Sequence, residues 1–221
     1  MPRFDLSLLA LLTGTSVGFA EPLVPQFAPV PLAEHIYSGG WEHYVGGGLA
    51  VFDCNGDALP ELYAVGGENP SKLFLNTTGA DGTLAFTPET PEALALTGVT
   101  GAYPLDIDSD GILDLAILRA GPDVLMKGLG HCAFTPFTTL GFESDEHWTT
   151  GFSATWEGNN TLPTLAFGTY VDRSNPKGPF GTCDDTLLYR PDGDRYRPVR
   201  ALSPGFCALS VLFSDWNRTG R

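Results

Sequence analysis

Acidic residues stand at positions 1, 3, 5 and 9 of the stretch Asp106-Ile107-Asp108-Ser109-Asp110-Gly111-Ile112-Leu113-Asp114, with glycine at position 6. A tight loop of that pattern turns four carboxylates and one backbone carbonyl toward a single point. Four like charges held so close repel unless something positive sits among them, and the ion that suits six to eight oxygens in a flexible shell is Ca²⁺. The expected ligands are the side chains of Asp106, Asp108, Asp110 and Asp114 and the carbonyl of Ile112. Gly111 supplies the left-handed turn that other residues adopt only at a cost.

A second stretch, Asp53-Cys54-Asn55-Gly56-Asp57-Ala58-Leu59-Pro60-Glu61, repeats the spacing. Asp53, Asn55, Asp57 and Glu61 take the ligand places, and Leu59 offers its carbonyl. Position 6 is Ala58, so a left-handed backbone there carries about 1 kcal/mol of strain. One formal charge fewer and that strain predict a weaker site than the loop at Asp106. An EF-hand would need a bidentate Glu at position 12 and flanking helices. Position 12 is Ala64 in one loop and Ile117 in the other, between strand-like flanks. The bland alternative for both loops is a solvated acidic turn.

The elements that must position these loops recur in a fixed order. Gly46 to Phe52 enters the first loop, Leu62 to Gly67 leaves it, Ser71 to Asn76 follows, and Ala85 to Pro88 closes the unit. The same order runs through Tyr103 to Leu105, Leu115 to Leu118, Asp123 to Gly128 and Ala133 to Pro136. A third copy uses Phe152 to Trp156, Leu165 to Gly168, Asp185 to Arg190 and Tyr196 to Pro198. A fourth starts at Ala208 to Phe213 and runs into Asp215-Trp216-Asn217. In the third loop the ligand places hold Trp156, Gly158 and Asn160, so no ion is expected there.

Four short apolar strands per copy, separated by Gly, Pro and Asp turns, match the blade of a β-propeller. A β-sandwich also uses short strands but has no reason to repeat its loops in register. The expected fold is all-β, a partial propeller of about three four-stranded blades and the start of a fourth. The boundaries are approximately 41–91, 92–141, 142–200 and 201–221, after a proline-rich lead-in over 21–40. Because propellers close with four to eight blades, the chain reads as part of a longer protein.

The loops, with the apolar strand and Gly-rich turn after each (Val65-Gly66-Gly67 and Ala120-Gly121-Pro122), resemble the FG-GAP or VCBS repeat family over residues 41–221. Leu73-Phe74-Leu75-Asn76, Leu187-Leu188-Tyr189-Arg190 and Gly168-Thr169-Tyr170-Val171-Asp172 are similar to secreted cartilage-acidic-protein-like members. Ala58 and the third loop depart from the pattern. The resemblance implies a six- or seven-bladed propeller, Ca²⁺ in the loops and extracellular binding or adhesion.

Composition narrows the partners. The chain has 221 residues, 43% of them hydrophobic, with 27 Gly, 18 Pro and 12 Lys+Arg against 26 Asp+Glu. A net charge of −14 excludes the basic footprint that nucleic acid demands and disfavours anionic lipid. Residues 1–20 read as a secretory signal, with Arg3, an apolar run from Leu6 to Ala20, and Gly18-Phe19-Ala20 before Glu21. That run is too short and too interrupted to span a bilayer, so no membrane span is expected in the mature, secreted or periplasmic chain. Export places Cys54, Cys132, Cys183 and Cys207 in an oxidising compartment, where three pairings are open. Cys183 with Cys207 is the first choice because the two flank one repeat unit.

The one Gly-x-Ser-x-Gly, Gly14 to Gly18, falls inside the apolar run of the expected signal segment, no P-loop or His-Glu-x-x-His occurs, and His35, His43, His131 and His147 stand singly. No catalytic residue is assigned. The leading reading is a calcium-binding module with structural Ca²⁺ that binds an extracellular protein or glycan. The rivals are a propeller hydrolase or lyase acting on polysaccharide with Ca²⁺ at its site, and a purely structural module. The long turn from Gly168 to Asp184, holding Tyr170, Asp172, Arg173, Lys177 and Cys183, is where binding residues could collect. The linker Glu143 to Trp148 is its expected neighbour.

Overall fold

Strand β6 (Asp114–Gly121) is the residue run on which the architecture turns. Its alternation sends Leu115 and Ile117 to one face and Ala116 and Leu118 to the other, and all four are buried. Leu115 and Ile117 join a core with Phe52, Tyr63, Leu73 and Phe134. Ala116 and Leu118 join a second core with Leu162, Leu165, Phe167 and Tyr189. A strand buried on both faces reads as a continuous apolar run, and here it lies between two packed neighbours.

The structure is a computed structural model, and it describes residues 24–175, 182–197 and 199–218. Fourteen strands are present among them, all paired antiparallel. The first unit is β1 (Leu49–Phe52), β2 (Glu61–Ala64), β3 (Lys72–Asn76) and β4 (Phe86–Pro88), paired in sequence order. The second is β5 (Val99–Leu105), β6, β7 (Val124–Gly128) and β8 (Phe134–Pro136). The third begins with β9 (His147–Thr155), β10 (Thr164–Thr169) and β11 (Thr186–Tyr189). The ends of β6 and β9 pair at Ala120 with Trp148 and Gly121 with His147, which joins the second and third units into one sheet. The fold is therefore all-β, built of repeated four-stranded units as in a partial β-propeller. No sheet closes on itself among the described residues.

The third unit closes differently from the expectation. Tyr196 was expected in its last strand, but Pro191–Asp192 (β12) and Arg195–Tyr196 (β13) form a separate hairpin around Gly193 and Asp194. Gly193 has φ of +68°, the conformation such two-residue turns need. The hairpin folds Tyr196 into the core beside Tyr189. The free edge of β11 is then taken by β14 (Arg200–Leu202).

Units are stitched by a repeated side-chain bond. Thr100 donates its hydroxyl to the Thr149 carbonyl at 2.6 Å, and Thr150 donates to the Ala208 carbonyl at 2.6 Å. Thr100 and Thr150 are equivalent in the strand registers, since Leu105 faces Asp114 and Thr155 faces Thr164. Residues 208–213, expected to open a fourth unit, thus dock on the third unit as the third docks on the second, although they carry no strand.

The lead-in packs against the first unit. Ser38 bridges Gly67 in parallel, His35 reaches the Val65 carbonyl at 2.8 Å, and Lys72 donates to the Glu34 carbonyl at 2.7 Å. The expected signal segment 1–20 lies outside the described residues. Among those described, no helix is long and apolar enough to cross a membrane. Two disulfides are formed, Cys183 with Cys207 and Cys54 with Cys132.

Candidate functional site

Each loop joins the first two strands of its unit, so all three lie at one end of the strands. In loop 1 (residues 53–61) the Asp53 carboxylate accepts N–H bonds from Gly56 and Ala58 at 2.7 and 2.8 Å. In loop 2 (residues 106–114) Asp106 accepts from Asp110 and Gly111 at 3.0 and 2.9 Å. Asp57 accepts from Leu59, and Asp110 from Ile112, at 2.8 and 2.9 Å. The position-9 carboxylates reach back in the same way, Glu61 to the Cys54 N–H and Asp114 to the Ile107 N–H, both at 2.8 Å. Positions 5 and 9 therefore make the same bonds in both loops, and position 1 shares its bond to the position-6 N–H.

Backbone strain does not separate the two loops as their sequences suggest. Ala58 is left-handed with φ of +65°, but so is Ser109 with φ of +60°. Loop 1 has glycine at position 4 and alanine at position 6, whereas loop 2 has serine at position 4 and Gly111 at position 6. Each loop therefore carries one non-glycine residue in the left-handed region, worth about 1–2 kcal/mol of strain.

Asp106, Asp108 and Asp114 each present a carboxylate oxygen within 4.8 Å of the others. Asp108 Oδ1 is buried without a hydrogen-bond partner, the kind of orphan acceptor that needs a ligand. Asp114 is fully buried; burial pushes its carboxyl up to about 6, against the pull of the Gly128 and Ile107 N–H groups. Gly128 is required at that contact, because a Cβ there would lie 2.2 Å from the Leu113 carbonyl oxygen. An all-oxygen donor set of this kind fits a hard cation.

Loop 1 has its own arrangement. Glu61 is fully buried, and burial raises its pKa above the ordinary carboxylate value. The Asn55 side-chain nitrogen points at Asp57 and Glu61, at 3.0 and 3.4 Å, a partial positive charge among the acidic groups. Cys54 and Cys132 lie beside Glu61, but their sulfurs are spent on each other and cannot ligate. That disulfide ties loop 1 to the β7–β8 turn of the next unit.

Sequence reasoning missed Lys127. Its ammonium pairs with Asp108 and, at 2.7 Å, with Asp110, and lies 4.9 Å from the Phe137 ring centroid. Burial alone would lower its pKa, but the two carboxylates outweigh that and hold it above the ordinary lysine value. Asp110 is held below the usual carboxylate range, first by its bond to Lys127. The signal was the strand register, which pairs Leu115 with Met126 and so sets Lys127 beside the loop.

The same register reads out the other loops. Leu62 pairs with Phe74, which makes Leu75 the counterpart of Lys127. Leu165 pairs with Tyr189, which makes Arg190 its counterpart in the third unit. Arg190 pairs with Glu157 at 3.3 Å, and Glu157 also accepts from Thr164 at 2.7 Å. At the third loop an exposed ion pair thus stands where the other loops gather carboxylates. Trp156, Glu157, Arg190, Phe213 and Asp215 line a groove of about 760 Å³ beside it.

At the opposite end of the strands, the long turn after β10 does meet the linker before β9. His147 pairs with Asp184 at 2.8 Å, and Arg173 bonds both Glu42 and Glu146. Trp148 packs edge-on against both Trp41 and Tyr170. The Asp184 bond raises the His147 pKa. Burial opposes ionisation of Asp184, but His147 and the Asp185 N–H outweigh it and lower its pKa. Lys177 lies outside the described residues. His147 starts a nine-residue strand that ends at loop 3, so this pair and the loops stand roughly 25–30 Å apart.

Residues 53–117 match the family model described as FG-GAP-like repeat, a span running from the first residue of loop 1 into β6. The match supports an FG-GAP-like repeat over that span. No curated protein matches the chain.

Proposed function

We propose that the chain is an exported, calcium-stabilised β-propeller repeat module that binds an extracellular protein or glycan, with Ca²⁺ serving structure rather than catalysis. Asp106, Asp108, Asp110, Asp114 and the Ile112 carbonyl would hold one ion. Asp53, Asn55, Asp57, Glu61 and the Leu59 carbonyl would hold the other. The observation that carries this reading is the shared bonding of positions 1, 5 and 9 in two loops 53 residues apart in sequence. A solvated acidic turn has no reason to keep the same three roles twice.

Calcium supplies charge neutralisation and crosslinks the end of one strand to the start of the next. Glu61 and Asp114 do the rest, since each holds its own loop closed by a bond to the position-2 N–H. Two disulfides agree with an oxidising, extracellular or periplasmic location. The partner-binding surface is assigned to the Trp41, Tyr170 and Arg173 face, where aromatic and charged groups border the long turn above the buried Trp148. The separation of the His147–Asp184 pair from both acidic loops argues against an enzyme that would need a cation and a base in one cleft.

The test of the binding role is a glycan and extracellular-protein array probed with wild type and with Arg173→Ala. A partner retained by wild type and lost by the variant supports it. Equal binding by both would move the surface elsewhere, and no binding by either would leave a structural module.

A further inference from the structure

We infer that Lys127 is a resident counter-ion of loop 2 that a divalent cation must displace, so that loop 1 fills before loop 2. The inference rests on the calcium reading of the two loops. Counting carboxylates ranks them the other way, with four acidic ligands in loop 2 and three in loop 1.

The geometry decides between the rankings. The Lys127 ammonium bonds Asp108 and Asp110, two of the four expected side-chain ligands. It is not a solvated surface charge, since its side chain is 27% exposed and rests over Phe137. A cation entering among Asp106, Asp108 and Asp114 meets this like charge and has to break both ion pairs to use Asp108 and Asp110 fully. Like charges at such range repel strongly in a partly buried setting. Loop 1 offers no such obstacle. The residue equivalent to Lys127 is Leu75, and the group among its ligands is the neutral Asn55 amide, held by hydrogen bonds to Asp57 and Glu61 but presenting no like charge to an entering cation.

The third unit extends the series. There the equivalent residue is Arg190, a cation that cannot be deprotonated, and it pairs with Glu157 in a loop lacking ligand carboxylates. One register position thus holds Leu75, Lys127 and Arg190 in turn, beside a loop with no resident charge, one with a displaceable charge and one with an exposed Arg190–Glu157 pair. The consequence is graded filling. At low Ca²⁺ only loop 1 is loaded, while the Lys127 ion pairs hold loop 2; at higher Ca²⁺ the ammonium is released.

The experiment is calorimetric titration of the whole chain with Ca²⁺ up to about 10 mM, beyond the weak end of extracellular sites. Wild type, Lys127→Met and Leu75→Lys are compared, with Asp53→Asn and Asp108→Asn assigning the sites. Removing the competing charge should tighten the Asp108-dependent site roughly tenfold or more and leave the Asp53-dependent site unchanged. Leu75→Lys should weaken the Asp53-dependent site. In melting runs Lys127→Met should fall below wild type in chelator and reach or pass it in Ca²⁺, a crossing that mere loss of packing would not give. Ca²⁺ binding only by Lys127→Met, with no Asp53-dependent site in wild type, would overturn the order of filling. If both sites bind and Lys127→Met changes neither by more than twofold, the counter-ion role is overturned while the calcium reading stands. If no variant binds Ca²⁺, both fall together.

Discussion

Asp114 accepts the backbone N–H of Ile107 at 2.8 Å, a bond from the end of the second acidic loop to its beginning. The other Asp114 oxygen accepts the Gly128 N–H at 2.7 Å, so one buried carboxylate fastens the loop to itself and to the next strand. Glu61 makes the first of these bonds in loop 1, to Cys54.

Substituting Asp114→Asn should therefore destabilise the protein even without metal. An amide offers one acceptor where the carboxylate offers two, leaving a buried N–H unsatisfied at a cost of about 1–3 kcal/mol. Denaturant unfolding in chelator should show that loss, and Ca²⁺ should recover little of it.

Ala58→Gly should stabilise by about 1 kcal/mol, because it removes a side chain from a left-handed backbone. Ser109→Gly should gain less, since the Ser109 hydroxyl donates to the Thr161 carbonyl at 2.8 Å and that bond would be lost. The pair of midpoints in urea checks both.

Asp123 gives a pH dependence that does not involve the loops. It is buried, accepting from the Arg119 N–H and the Thr149 hydroxyl, both at 2.8 Å, and burial pushes its carboxyl up to about 7. A carboxyl whose folded pKa is raised contributes most below its unfolded value near 3.8, and that contribution fades as pH rises through about 7. His147, whose pKa is also raised, adds stability that is present below its unfolded value and lost as pH rises through its folded one. Melting temperature in chelator should decline from pH 5 to 8, and Asp123→Asn should flatten part of that slope.

Removing the Cys54–Cys132 bridge by a double Ala substitution should cost about 4 kcal/mol on the chain-entropy account, given its 78-residue separation. Because Cys54 is position 2 of loop 1, the same change should weaken the Asp53-dependent site and spare loop 2. Site-resolved Ca²⁺ titration reads this directly.

The repeat order and both loops were legible because each unit spells strand, acidic turn and strand within a few residues. Cys183 with Cys207 was legible because the two flank one repeat unit. What escaped was set by pairing between distant residues. Lys127 comes to loop 2 through the register of Leu115 with Met126, and Cys132 meets Cys54 across a boundary between units. Tyr196 looked like a closing strand, but a two-residue turn at Gly193 folded it inward. That positions 4 and 6 are left-handed in both loops was hidden because the sequence marks only the glycines.

The most direct measurement is thermal melting of the wild-type chain in chelator and in about 10 mM Ca²⁺. Two sites of millimolar affinity would add about 3 kcal/mol and raise the melting temperature by roughly 5–10 °C. Mg²⁺ at the same concentration should raise it less, because its small octahedral shell suits this donor set poorly. Identical melting temperatures in chelator and Ca²⁺ would contradict the account of both loops as calcium sites.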